Sequence, residues 1–187
     1  MTAPTSTQIP GYVVGTWDID PTHSEVSFTV RHMMVSKVRG RLGTFSGEIV
    51  TAPRFADSTV TASVDASSVD TGNAQRDGHI RTADFFEVET HPTWTFRSTA
   101  IREDGDDQVL DGELTIKGVT RPVSFALEVN GFGPDPFGGI RSGFSATTTI
   151  NRSDSGVDIA MPLDGGGVVE SEKVQVTLEI EAVLRQS

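Results

Sequence analysis

The stretch EVSFTVRH, Glu25 to His32, decides how the rest of the chain is read. Val26, Phe28, Val30 and His32 fall on one face and Ser27, Thr29 and Arg31 on the other. That period of two sets one side of a strand against apolar neighbours and the other in water. The next segment, SKVRGRLGTFSGEIV from Ser36 to Val50, keeps the alternation, with Val38, Gly40 and Leu42 opposite Lys37, Arg39 and Arg41. Gly40, Gly43 and Gly47 supply points where a strand can bend or bulge. The pattern recurs in STVTASVD (58–65), TWTFRSTA (93–100), QVLDGELTIKG (108–118), RPVSFALEV (121–129), RSGFSATTTI (141–150) and KVQVTLEIEAVL (173–184). Short breaks such as EDGDD and GPDPFGG separate several of these segments, as hairpin connections do. The reading is all-β with eight antiparallel strands. Such strands, each with one apolar face, close into a barrel or split into a sandwich, and periodicity leaves both open.

Composition narrows the function classes. The 187 residues make one domain of ordinary size, and frequent Gly (19) and Pro (9) suit a turn-rich β protein. Residues 1–14, rich in Thr, Ser and Pro, read as a flexible leader, with a single domain over 15–187. The formal net charge of −11 and isoelectric point near 4.7 argue against nucleic acid and, on average, against an anionic surface. Arg31, Lys37, Arg39 and Arg41 form a locally basic run that alternation places on a solvated outer face. With no cysteine there is no disulfide, thiolate ligand or cysteine nucleophile. The start carries neither a basic n-region nor an apolar h-region, so a cytoplasmic location is expected, and no run approaches the ~18 apolar residues of a membrane span.

Two connections are long, Ala66 to Pro92 and Asn151 to Glu172. The first contains NAQRDGHIRTADFF (73–86), the one segment with a helical period, where Asn73 can cap a short helix and Thr82 a further turn. Arg76, His79 and Arg81 there could donate to an oxygen-bearing headgroup. The alternative pairs Arg76 and Arg81 with Asp77 and Asp84, with Phe85 and Phe86 as the apolar plug of a lid. Catalytic readings find little support. The four histidines, His23, His32, His79 and His91, show no metal-ligand spacing, and no nucleophile elbow or phosphate loop is present, so neither a catalytic residue nor a metal is expected.

From WDIDPTHSEVSFTVRHMMVSKVRGRLGTFSGEI, through DASSVDTGNAQRDGHIRTADFFEVETHPTWTF and LDGELTIKGVTRPVSF, to TTTINRSD and VQVTLEI, the chain resembles the YceI-like domains. One departure is Ser155, where such domains usually carry an aromatic residue. The resemblance implies an eight-stranded lipocalin-like barrel with a short helical insertion at about 73–86. It also implies a long apolar channel that holds an isoprenoid lipid of polyprenyl or quinone type, for storage, transport or protection, with no further cofactor. It leaves room for transient membrane contact and for a homodimer. The channel residues it suggests, on the inward face, are Phe28, Val30, His32, Val38, Leu42, Phe45, Phe85, Phe86, Trp94, Phe96, Leu114, Phe125, Leu127, Phe144 and Leu178. Periodicity by itself shows no cavity. The same aromatics could fill a barrel by packing on one another, as in an interaction module for stress responses, or line a carrier for a fatty acid, a fatty amide or haem.

Overall fold

A computed structural model describes residues 9–32, 35–82, 85–104, 107–155 and 173–186. Its strands are β1 (Gly15–Ile19), β2 (Glu25–His32), β3 (Ser36–Leu42), β4 (Phe45–Thr51), β5 (Thr59–Asp65), β6 (Val69–Asp70), β7 (Thr93–Asp104), β8 (Asp107–Ile116), β9 (Val119–Pro134), β10 (Ile140–Asn151) and β11 (Lys173–Leu184). The helix α1 spans Ala74–Ile80.

All pairings are antiparallel, in the order β1-β4-β5-β7-β8-β9-β10-β11-β2-β3-β6, and a further β1–β11 pairing closes the ring. β1 and β2 are two halves of one interrupted strand. β11 spans both, facing β2 through Gln175–Glu179 and β1 through Ala182–Leu184. On the other side β2 faces β3 while β1 faces β4, so β3 and β4 are likewise halves of one strand. Counted this way the wall is a closed eight-stranded antiparallel barrel, and the two-residue β6 lies along the Leu42 end of β3. Alternation left barrel and sandwich open; the contact of Trp17 with Leu184 and of Ile19 with Ala182 decides for the barrel.

One pole is filled. Trp17 is wholly buried, and its Nε1 donates to Thr51 Oγ1 at 2.9 Å, while that hydroxyl donates to Val13 O at 2.7 Å. Tyr12, Trp17, Phe132 and Phe144 meet in edge-on or tilted ring contacts of 5.2–5.9 Å. The expectation of a flexible leader through residue 14 therefore fails at its last part. Ile9, Tyr12 and Val13 pack against the core, and Tyr12 Oη donates to Ala52 O at 2.6 Å. An aromatic side chain with a satisfied hydroxyl is worth burying even in a Thr- and Pro-rich segment.

The long connection after β5 forms the helix as the sequence predicts. Asn73 caps it, its side chain accepting from Arg76 N at 2.9 Å. The helix ends at Ile80, and the chain folds back through Phe86 N to Ile80 O (2.9 Å) and Glu87 N to Thr82 O (2.8 Å).

Candidate functional site

The barrel encloses a cavity of about 430 Å³. Every long strand contributes to it, because the period of two sends alternate side chains inward all round the ring. Of the residues expected there, Phe28 and Val30 come from β2, Val38 and Leu42 from β3, Phe45 from β4, and Trp94 and Phe96 from β7. Leu114 (β8), Phe125 and Leu127 (β9), Phe144 (β10) and Leu178 (β11) complete the wall, with Phe85 and Phe86 from the segment after α1. The side chain of His32 lies outside the described residues, as do Asp84 and the side chain of Ser155. The filled-barrel alternative does not hold for this pole: the inward aromatics leave a chamber between them.

Several lining residues escaped the sequence-based selection. Val60, Ala62 and Val64 of β5 and Val174, Val176 and Ile180 of β11 lie on faces that alternation had already marked as apolar. Phe55 carries no such signal. It sits in a short 3-10 turn between β4 and β5, is 2% exposed, and forms part of the chamber floor beside the aromatic plug. Arg152 is the most consequential omission. It opens the 3-10 turn Arg152–Ser155 directly after β10, where alternation stops, and it lines the chamber while only 9% exposed.

Polarity is concentrated towards the pole opposite the plug. Among the described residues the charged side chains lining the chamber are Arg76 and Arg152, joined by His79 and Thr71, and no carboxylate lines it. Arg76 is held firmly, its Nε donating to Thr71 Oγ1 at 2.7 Å and its terminal nitrogen to Thr71 O at 2.9 Å. His79 is exposed yet touches the chamber, and its ring packs edge-on against Phe85 at 5.0 Å, which marks this side as the mouth. Phe86 packs on Trp94 in the same manner at 4.7 Å.

Among the described residues, the charged insertion is held by contacts to the backbone that leads into it, while the pairing expected with Asp84 lies outside them. Asp77 is buried and accepts from Thr71 N (3.0 Å) and Thr71 Oγ1. Arg81 donates to the backbone carbonyls of Ser67 (2.9 Å) and Val69 (3.1 Å). The side chains of α1 thus grip the backbone that leads into it, and Asp77 and Arg81 do not line the chamber. Local reach explains this: Thr71 and Asp77 lie six residues apart across the helix start, and backbone donors there lack other partners.

A second polar cluster lies at the filled pole. His23 Nδ1 is 2.8 Å from Asp20 and 3.6 Å from Glu181, a grouping whose ligand atoms could all reach one metal ion. Arg141 already lies within it, donating to Asp20 at 2.9 Å, Glu181 at 2.7 Å and Asp135 at 3.0 Å. Hydrogen bonds from His23 and Arg141 hold the Asp20 carboxyl down at about 2. The guanidinium supplies the positive charge those carboxylates need, so the cluster is an ion-pair network that ties β10 and β11 to the β1–β2 break.

A closed β-barrel around an apolar chamber, plugged at one pole and cationic at the other, is the architecture of a protein that binds apolar ligands. The chain belongs to the YceI-like domain family, whose model matches residues 17–182. A UPF0312 protein of Vibrio cholerae is 37% identical over 161 residues, covering 85% of this chain and 84% of that protein. The crystal structure of Burkholderia cenocepacia BcnA superposes with a TM-score of 0.75 at 24% identity, over 87% of this chain and 98% of that one. A polyisoprenoid binding domain from Saccharophagus degradans, implicated in plant cell wall breakdown, gives 0.70 at 19% identity, over 92% and 100%.

Proposed function

We propose that this protein binds an isoprenoid lipid of polyprenyl or isoprenoid-quinone type. Its hydrocarbon chain lies in the chamber, and its oxygen-bearing headgroup lies towards Arg76, His79 and Arg152. The observation that carries the reading is the chamber's lining, apolar on all sides with cationic residues and, among the described residues, no carboxylate at its polar end. The polyisoprenoid-binding description of a structural neighbour supports the same class of ligand. Storage, transport and protection of such a lipid all fit a non-catalytic barrel.

Volume limits how much of the lipid is enclosed. A cavity of about 150 Å³ holds one benzene, so the chamber at about 430 Å³ takes roughly three such groups, or about three to four isoprene units. A longer chain has to run out through the mouth or widen the barrel. Affinity does not scale with chain length either. Each buried CH₂ gains about 0.8 kcal/mol relative to water, but a lipid leaving a membrane exchanges one apolar solvent for another. Selectivity then falls to chamber shape and to the headgroup contacts.

Native mass spectrometry of the purified chain, followed by organic extraction, tests the reading. The expected result is a stoichiometric adduct whose extract is a prenyl compound. Recovery of a fatty acid or fatty amide would replace the isoprenoid with another apolar ligand. If nothing co-purifies and added prenyl compounds do not bind, the carrier reading fails.

A further inference from the structure

The outer face of β2 and β3 carries a charge distribution that ligand binding does not require. Residues 26–47 hold four cations, Arg31, Lys37, Arg39 and Arg41, and no carboxylate, in a chain of net charge −11. All four side chains are exposed. Register sets Arg31 directly across from Lys37, Thr29 across from Arg39 and Ser27 across from Arg41. Two cations directly opposite one another on an antiparallel pair repel. Arg41 has Asp70 at 3.8 Å, so the excess charge is concentrated towards Lys37 and Arg39. Beyond them, Val35 is 83% exposed where β3 begins.

The same two strands send Val30 and Val38 into the chamber on their inner face. The basic outer face, the exposed valine and the polar end of the chamber therefore meet at one pole, while the opposite pole is plugged by Tyr12, Trp17 and Phe132. No helix among the described residues is long and apolar enough to cross a membrane. We infer that the outer face of β2 and β3 docks the barrel onto an anionic phospholipid surface, with Lys37 and Arg39 against the headgroups and Val35 at the acyl boundary, and sets the mouth of the chamber on the bilayer. Basic residues near such a surface are each worth enough to overcome the repulsion of a remote acidic body, since screening confines that repulsion to about a Debye length. This docking does not depend on which lipid the chamber takes.

Basic side chains on a strand margin also discourage edge-to-edge association, and that role gives a different outcome. The test is co-sedimentation of the full chain with vesicles of phosphatidylcholine alone or mixed with phosphatidylglycerol. Binding is expected to the mixed vesicles only, and to fall as salt rises. The double variant Lys37→Gln/Arg39→Gln should partition about thirty-fold less, at about a fivefold loss per cation. Arg54→Gln/Arg102→Gln, with the same change in net charge at exposed side chains away from β2 and β3, should bind as the parent does. Val35→Asp should also weaken binding. The inference is overturned if the parent chain ignores anionic vesicles at low salt. It is equally overturned if the Lys37/Arg39 variant binds undiminished and instead self-associates, or if both double variants lose binding alike. Retained prenyl binding in the Lys37/Arg39 variant separates failure of docking from failure of the lipid-binding reading.

Discussion

At the scale of single residues, the chamber's shape rests on aromatic rings folded over glycines. A Cβ added at Gly40 would stand 2.4 Å from Phe28 Cζ, and one added at Gly112 would stand 2.4 Å from Phe96 Cζ and 2.7 Å from Arg97 O. Each glycine leaves room for a ring to lie flat along the wall instead of filling the lumen. Gly112 is the tighter case because one neighbour is backbone and cannot rotate away. Gly112→Ala is expected to cost about 1–3 kcal/mol, read as a shift in urea midpoint without a change in slope. Phe28 and Phe125 should part company when each is replaced by aspartate. Phe28, half-buried towards the mouth, should lose bound lipid with its fold retained, whereas Phe125, 3% exposed in the core cluster, should lose the fold. Circular dichroism beside native mass spectrometry distinguishes the two. Arg152→Met keeps the apolar stem and removes the charge. If Arg152 faces a headgroup, the variant should retain the fold and shift preference from prenyl compounds with oxyanion headgroups towards neutral ones, measured by competition.

Among the elements, the insertion between β6 and β7 is the one whose sequence suggested chemistry. Among the described residues, several of its side chains hydrogen-bond their own foundation. Thr71 receives Arg76 on its hydroxyl and carbonyl and donates to Asp77, and Arg81 ties the helix end back to Ser67 and Val69. Asp77, 6% exposed, is the post on which α1 stands. Asp77→Ala leaves Thr71 N without an acceptor and should cost about 1–3 kcal/mol. The loss should be local: amide exchange is expected to accelerate over 71–81 and around Phe85 and Phe86 while the barrel strands keep their protection. Uniform acceleration throughout the chain would show that the insertion is integral to the barrel and not a separable cover.

For the whole molecule, closure depends on the meeting of the chain's two ends, and electrostatics reinforces it. Arg185 donates to Asp18 and Glu48 across β1, β4 and β11, and Arg141 joins Asp20, Asp135 and Glu181. Because the folded state lowers the Asp20 carboxyl from the usual 3.8 to about 2, its contribution is fully present above that usual value and is lost as pH falls to about 2. Acid unfolding is therefore expected to steepen over that interval. Arg141→Gln removes one cause of the depression, so its stability should fall near neutrality and depend less on pH below 4. Chemical denaturation at a series of pH values checks both statements. An unchanged acid limb in the variant would show that the network is not what couples Asp20 to folding.

The alternation in EVSFTVRH and the seven segments like it determined by itself that the chain is all-β, and which face of each strand turns inward. It likewise determined that Asn73 starts a helix, because capping and periodicity are properties of neighbours along the chain. Closure was decided only in three dimensions. The pairing of Trp17 with Leu184 joins residues more than a hundred positions apart, and no local preference encodes it. The same holds for the chamber. Inward aromatics are equally suited to packing together, and only their register around the ring, with glycines opposite the rings and a plug at one pole, leaves the space unfilled. Arg152 lay hidden for the related reason that a residue beyond the end of a strand has no period to reveal where it points. The basic stripe on β2 and β3 could be read from sequence as a solvated face; the tertiary structure places it beside the mouth, and position relative to the chamber is what gives that charge a use.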